Sequence, residues 1–396
     1  MKVCHVSRLC AYSVSSPGKV PAVTGEGRRA RAAAFRFAAA LALTSGVLVG
    51  CESPVPFYRP GEGSPDGPAI GLGGPAPYLP PRPVRESPGV SVPVPVPDGR
   101  VEVPRLYVAH GRVIDVLDPG TLQTVDRIRV GVAARIVPSP DPRRLWVADR
   151  AHGVLVPVGV DGGERGRPVR VKGAAALYFT PDGRDALVLT RRPRRLGVRD
   201  PVTMRAKASV PLPCAAGHAD FTDDGSAVVA TCASAGTLVH VDLAGRRVAG
   251  TIRLPRGARP GDVRLAPGGA VFYVADPAAG GLWVVDARRF VPLGFVSTGP
   301  GARSLVVGGG ERRVFVVGGD VLAVVDVVTG RVESRWPLPG RGPATPGGLS
   351  PDGSALWLAD PGGLVYAVST RTGTVLRKVD VGGRPVALRV HPRPGG

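Results

Sequence analysis

The chain has 396 residues, with 51 Lys and Arg against 31 Asp and Glu, and a formal net charge of +20. Its 56 Gly and 43 Pro break most helices and exclude an all-helical bundle, while 43% apolar residues exclude disorder throughout. Asparagine is absent and Gln123 is the single glutamine, which excludes N-linked glycosylation and any site built on an Asn ligand.

Residues 1–27 carry no periodic pattern, and their place upstream of the first basic cluster suggests a start read too early, with Val20 or Val23 as the expected first residue. Arg28, Arg29, Arg31 and Arg36 then precede an apolar run over 37–49. That is a charged segment and an apolar segment of signal-peptide length, too short for a membrane-spanning helix. The Ala-Arg-Ala-Ala that follows Arg29 lacks the rest of a twin-arginine motif. The run ends in Leu48-Val49-Gly50-Cys51, which resembles the lipobox of bacterial lipoproteins. The resemblance implies a signal peptide over 1–50, lipidation of Cys51 as the mature N-terminus, and a place on the extracytoplasmic face of the bacterial cell membrane. The competing reading is an ordinary signal peptide with an unrelated cysteine. Residues 52–100 hold 14 Pro and 8 Gly, so 51–100 reads as an extended tether reaching at most ~150 Å. Two acyl chains at Cys51 would make the anchor stable.

From residue 101 onward one turn recurs. It appears as Ser139-Pro140-Asp141, Thr180-Pro181-Asp182-Gly183, Thr222-Asp223-Asp224-Gly225, Ala266-Pro267-Gly268-Gly269, Val307-Gly308-Gly309, Ser350-Pro351-Asp352-Gly353 and His391-Pro392, at spacings of 41, 42, 44, 41, 43 and 41. Proline presets φ and glycine accepts a positive φ, so each is a turn with a mechanism. Short apolar strands follow, as at 145–149, 228–232 and 272–276, then a third at 282–286 or 322–326, then a fourth at 247–252 or 332–336. Four strands per unit of about 42 residues is the signature of a β-propeller blade. The last turn has no strands after it, and the first strands, 106–110, 113–118 and 124–130, have none before them. The C-terminal strand is therefore expected to complete the N-terminal blade. The fold expected is all-β, a seven-bladed propeller over 101–396 with four-stranded blades.

The blades resemble the YVTN-type bacterial β-propellers in Phe272-Tyr273-Val274-Ala275-Asp276, Leu145-Trp146-Val147-Ala148-Asp149 and Leu356-Trp357-Leu358-Ala359-Asp360, with Asp where that family has Asn. Val284-Val285-Asp286 and Val324-Val325-Asp326-Val327-Val328-Thr329-Gly330 match its later elements. The resemblance covers all seven repeats and implies architecture, because that family is functionally mixed.

On each innermost strand, residues two and four before the turn are nearly all apolar. Residues three and five before it give Arg135, Tyr178, His218, Asp220, Asp262, Arg264, Arg303 and Arg389. Strand period 2 puts this polar set on one side, read as turned toward the central channel. It would either bind a small anion through its arginines or pair its charges internally. Asp118, Asp149, Asp242, Asp276, Asp286, Asp326 and Asp360 recur once per repeat at strand ends and are expected to cap turns. Cys214 and Cys232 flank the hairpin 218–231, whose pairing sums near 448, and a disulfide is expected. His110, His152, His218, His240 and His391 are isolated in sequence.

No catalytic constellation, metal set or cofactor motif is read. Gluconolactonase-like propellers hold a metal through Glu, Asn and Asp, and Asn is missing. Quinoprotein propellers repeat an Asp-x-x-Thr-Gly turn with a Trp at a fixed distance, and here Trp336 follows Thr329-Gly330 at six residues, once. The run Arg191-Arg192-Pro193-Arg194-Arg195 has no aromatic beside it and reads as a solvated loop or a contact with an anionic surface; nucleic acid is not an expected partner. The function expected is a monomeric, membrane-anchored binding scaffold for a protein, a cell-wall polymer or a small anion. The alternative is a lactonase-like hydrolase working through the channel Asp, His and Arg groups.

Overall fold

The computed structural model describes residues 104–391, apart from 131–134, 150–151, 161–162 and 309–311. The expected signal segment, Cys51 and the tether lie outside the described residues. The chain forms seven four-stranded antiparallel sheets. We number these blades 1 to 7 in chain order.

In blade 1 the strand Pro385–His391 pairs with Arg105–His110, so the last strand is the innermost strand of the first blade. Blades 2 to 7 open with inner strands Arg135–Pro138, Ala174–Phe179, His218–Phe221, Val263–Leu265, Ala302–Val307 and Thr345–Leu349. The second strand of each blade is buried on both faces, as in Ala227–Cys232, where all six residues are buried. That explains its near-continuous apolar sequence, since a blade is covered by a neighbour on either side. The outermost strands are largely exposed, and Arg331–Pro337 switches between exposed and half-buried at every residue.

Period 2 sends alternate side chains of one strand into opposite seams. Val228 and Ala230 pack with Leu187, Leu189 and Leu196 of blade 3, while Val229 packs with Phe272 and Trp283 of blade 5. Seven apolar clusters result, one per seam. The closing seam joins Leu388 and Val390 of blade 1 to Trp357 and Val365 of blade 7. Gly347 lets the inner strands of these two blades meet: a Cβ there would lie 2.5 Å from Leu388 Cγ.

The recurring aspartates cap turns. Asp118 Oδ1 accepts the Gly120 and Thr121 N–H groups, Asp286 Oδ1 those of Arg288 and Arg289, and Asp326 Oδ1 those of Val328 and Thr329. Asp242 Oδ1 takes Gly245 N–H and Asp149 Oδ1 takes His152 N–H. Asp276 and Asp360 do this and also take Arg259 and Arg341 N–H from the crossover loops.

Cys214 and Cys232 are joined by a disulfide with Cα atoms 5.9 Å apart. It ties the crossover into blade 4 to that blade's second strand. The hairpin pairs His218 with Thr231 and Asp220 with Val229, one residue from the expected register.

Candidate functional site

An inner strand is hydrogen-bonded along one edge only, so its other edge leaves main-chain groups that need partners. The polar row supplies them. The Tyr178 hydroxyl accepts Ala219 N–H at 2.9 Å, Asp220 Oδ2 accepts Leu265 N–H at 2.8 Å, and Asp262 Oδ2 accepts Leu305 N–H at 3.0 Å. Each bond runs from one blade to the inner strand of the next. Arg389 Nη1 makes a tie in the opposite direction, donating to Pro346 O of blade 7 at 2.9 Å. The polar side thus faces the neighbouring inner strand, and the apolar residues Ile136, Ala219, Val263 and Leu388 enter the preceding seam.

Five polar residues gather between blades 3 and 5. Asp262, 7% exposed at its side chain, lies 3.3 Å from Arg264 Nη2 and 3.7 Å from His218 Nδ1. Burial alone would raise its carboxyl. The Arg264 guanidinium and His218 outweigh burial and hold it well below the usual carboxylate range. Asp262 in turn raises Arg264. Asp220 goes the other way: burial pushes its carboxyl up against the pull of Arg264. Burial likewise raises the Tyr178 phenol, opposed by Arg135 and Arg264. Arg264 keeps a third of its side chain open, and His218 about as much.

Arg135 is half-buried on the inner strand of blade 2, and its guanidinium has no hydrogen-bond or ion-pair partner among the described residues. Arg389 stands apart on blade 1, against blade 7. Arg303 departs from the expected row. Gly308 N–H bonds Arg313 O as Ala266 N–H bonds Val271 O, so Gly308 is the first residue of its turn. The polar positions of blade 6 are then Ser304 and Val306. Arg303 falls at a break in register between Ala302 and Ser304, with its side chain exposed.

One polar site lies outside the expected set. His110 Nε2 meets Asp115 Oδ2 at 2.8 Å, and Arg127 Nε meets Asp115 Oδ1 at 2.5 Å, around a carboxylate that is fully buried. The hairpin pairs His110 with Val113 and Val108 with Asp115, so parity alone puts His110 and Asp115 on one face. His152 pairs with Asp149 at 2.7 Å on the surface. Among the described residues no group of three or more metal-ligating side chains converges.

No family model and no curated protein matches the chain. Solved structures share its fold. A functionally unknown protein from Desulfotomaculum acetoxidans is 15% identical with a TM-score of 0.61, over 73% of this chain and 99% of its own. Hydrazine synthase from Kuenenia stuttgartiensis is 15% identical with a TM-score of 0.57, over 69% and 90%. Dihydro-heme d1 dehydrogenase NirN in complex with DHE is 16% identical with a TM-score of 0.57, over 73% and 76%. At these identities the likeness is one of fold.

Proposed function

We propose that this seven-bladed propeller is a binding protein held outside the cytoplasm by lipidated Cys51 and the 51–100 tether. Its recognition site is the inner-strand polar row, and its ligand is a small anion or the anionic group of a cell-wall polymer or protein. One observation supports the reading above others: the charges in that row do not balance. The carboxylates of Asp220 and Asp262 are engaged by main-chain N–H groups and by neighbouring cations. The guanidinium of Arg135 has no partner among the described residues, and Arg264 keeps an open side. An incoming carboxylate or phosphate would complete forked hydrogen bonds there.

The test is a thermal-shift panel of carboxylates, sugar phosphates and cell-wall fragments on the mature chain. A ligand at a hundredfold excess over its dissociation constant adds about 2.7 kcal/mol to stability, and Arg135→Gln should remove the shift. A flat panel with both proteins sinks the anion reading. Metabolic labelling with a fatty acid tests the anchor, and label retained in Cys51→Ser refutes it.

The opposite displacements of Asp220 and Asp262 keep a second reading in play, because carboxyls driven apart in this way suit general acid and base roles. A lactonase-like hydrolase would open lactones, and Asp220→Asn would abolish turnover. Activity unchanged in that variant, or none on any lactone with or without chelator, removes this reading.

A further inference from the structure

The third strands reveal where one seam is left open. At the central position of this strand, facing the preceding blade, the repeat places Val156, Val239, Trp283, Ala323 and Tyr366 in blades 2, 4, 5, 6 and 7. Each sits opposite the middle of its second strand and fills the seam. Blade 3 has Gly197 there, opposite Val188. The neighbouring blade adds a second gap. The outermost strand of blade 2 is Val169–Arg170, two residues, where other blades have six or seven. A cleft of about 230 Å³ remains between blades 2 and 3.

Its chemistry is one-sided. Four cations line it: Arg170 and Lys172 from blade 2, Arg195 and Arg199 from blade 3, with no carboxylate among the lining residues. Buried Val171 and Val188 and, nearer the solvent, exposed Ala206 are among its apolar lining. None of the four cations is in an ion pair among the described residues. Arg195 donates to Ser209 Oγ at 3.2 Å, and Arg199 donates through Nη1 to Met204 O at 2.7 Å. Arg199 Nε is buried with no hydrogen-bond partner. Burial lowers the Arg199 guanidinium, as expected of a cation set into a protein wall without an anion beside it. The hairpin Arg191-Arg192-Pro193-Arg194-Arg195 stands at the rim, so the arginine run of the sequence ends in this cleft.

We infer that the cleft between blades 2 and 3 binds a phosphate ester, with its phosphate among Arg170, Lys172, Arg195 and Arg199 and its carbon body over Val171, Val188 and Ala206. Phosphate fits better than a carboxylate because the cations come from two blades on opposite sides of the cleft, Arg170 and Lys172 on one and Arg195 and Arg199 on the other. A tetrahedral dianion offers oxygens in several directions, whereas a planar carboxylate offers two in one plane. The ester is either a free molecule or a lipid headgroup. This site is separate from the inner-strand row, and neither reading depends on the other.

Calorimetric titration of the mature protein with inorganic phosphate and with glycerol 3-phosphate reads the free ester, and sedimentation with phosphatidylglycerol vesicles reads the headgroup. Hydrogen exchange of the peptide 186–211 locates the binding. A Cβ at Gly197 would meet only Val188 O at 3.7 Å and Arg199 Nε at 3.8 Å, so the backbone accepts a side chain there and Gly197→Leu projects one into the cleft. It should abolish the signal and the protection of 186–211. Lys172→Gln and Arg195→Gln change exposed side chains and keep the fold. Each should weaken binding about tenfold or more. Binding by soluble esters identifies a free ligand, and binding by vesicles alone identifies the headgroup. No binding in any format, or full binding by folded Gly197→Leu or by the double Gln variant, overturns the inference.

Discussion

Replacing Asp262 tests the account of the inner-strand row most directly. Its carboxylate joins three blades, through His218 of blade 4, Arg264 of its own blade 5 and Leu305 N–H of blade 6. Removing one partner of a buried ion pair costs about 3–5 kcal/mol. Arg264 keeps a third of its side chain open, and solvent screening there brings the ionic share down to about 2 kcal/mol. Asp262→Asn keeps an oxygen for Leu305 N–H and should lose that share alone. Asp262→Ala also orphans the N–H and should lose about 1 kcal/mol more. At about 2–4 °C per kcal/mol for a domain of this size, Asp262→Ala should lower Tm by about 6–12 °C. The pH dependence carries the sign. The folded carboxyl titrates below the ordinary aspartate value of 3.8, so its contribution is complete above about pH 4 and fades as pH falls further. The gap between wild type and Asp262→Asn should be full at pH 7 and narrow at pH 3. Arg264→Met in both backgrounds should give a coupling of at least about 1 kcal/mol. A loss under about 0.5 kcal/mol for Asp262→Ala in urea melts, or a gap that ignores pH, would refute the reasoning.

Reducing the Cys214–Cys232 disulfide, which spans 18 residues, should cost about 3 kcal/mol by the loop-entropy argument, and denaturant midpoints that coincide with and without reductant would contradict it. The Asp224 carboxyl, held down to about 2 by the Thr222 hydroxyl and by Ser226, should show that midpoint by NMR and move toward 3.8 in Thr222→Val. Its stabilising effect is present above about pH 4 and lost as pH falls toward 2. Deleting 385–396 removes the inner strand of blade 1 and the Leu388 and Val390 packing of the closing seam. The deletion variant should not unfold as one cooperative unit, and an unchanged Tm would falsify strand-exchange closure.

The architecture was readable in the sequence because each blade is local. The turn Thr180-Pro181-Asp182-Gly183 and its relatives fix the phase, and strands such as Phe272–Asp276 are apolar enough to find without partners. Placement within the row was less readable. Parity assigned Asp220 and Asp262 to one side, but which neighbour that side meets depends on how blades stack, and this the repeat does not encode. Arg303 was misplaced for a definite reason. The sequence there, Val307-Gly308-Gly309, lacks the Pro and Asp that anchor the others, so the frame slipped by one residue, which is one side of a strand. His110 and Asp115 could have been found, since a hairpin closed at Gly111-Arg112 puts both on one face.

Departures from the repeat carry more functional information than the repeat itself. Residues that recur, such as Asp118, Asp286 and Asp326, are spent on turns that every blade needs. The third-strand centre shows the contrast. Five blades fill it with an apolar or aromatic side chain, which a seam between sheets requires. Blade 1 puts Asp115 there and surrounds it with His110 and Arg127, a costly group satisfied locally. Blade 3 puts nothing there. If Gly197 were a defect that selection had tolerated, the exposed wall would be expected to carry mixed or neutral side chains. Instead the space it opens is walled by cations from both sides, one of them with a buried, unpartnered Nε. The lining offers these cations no counter-charge, and an anionic occupant would supply it. The salt dependence of Tm therefore separates the two accounts. Phosphate should raise Tm above the level reached with chloride at equal ionic strength in the wild type, and the difference should vanish in Gly197→Leu. An equal response in both proteins would mean that the gap is only a gap.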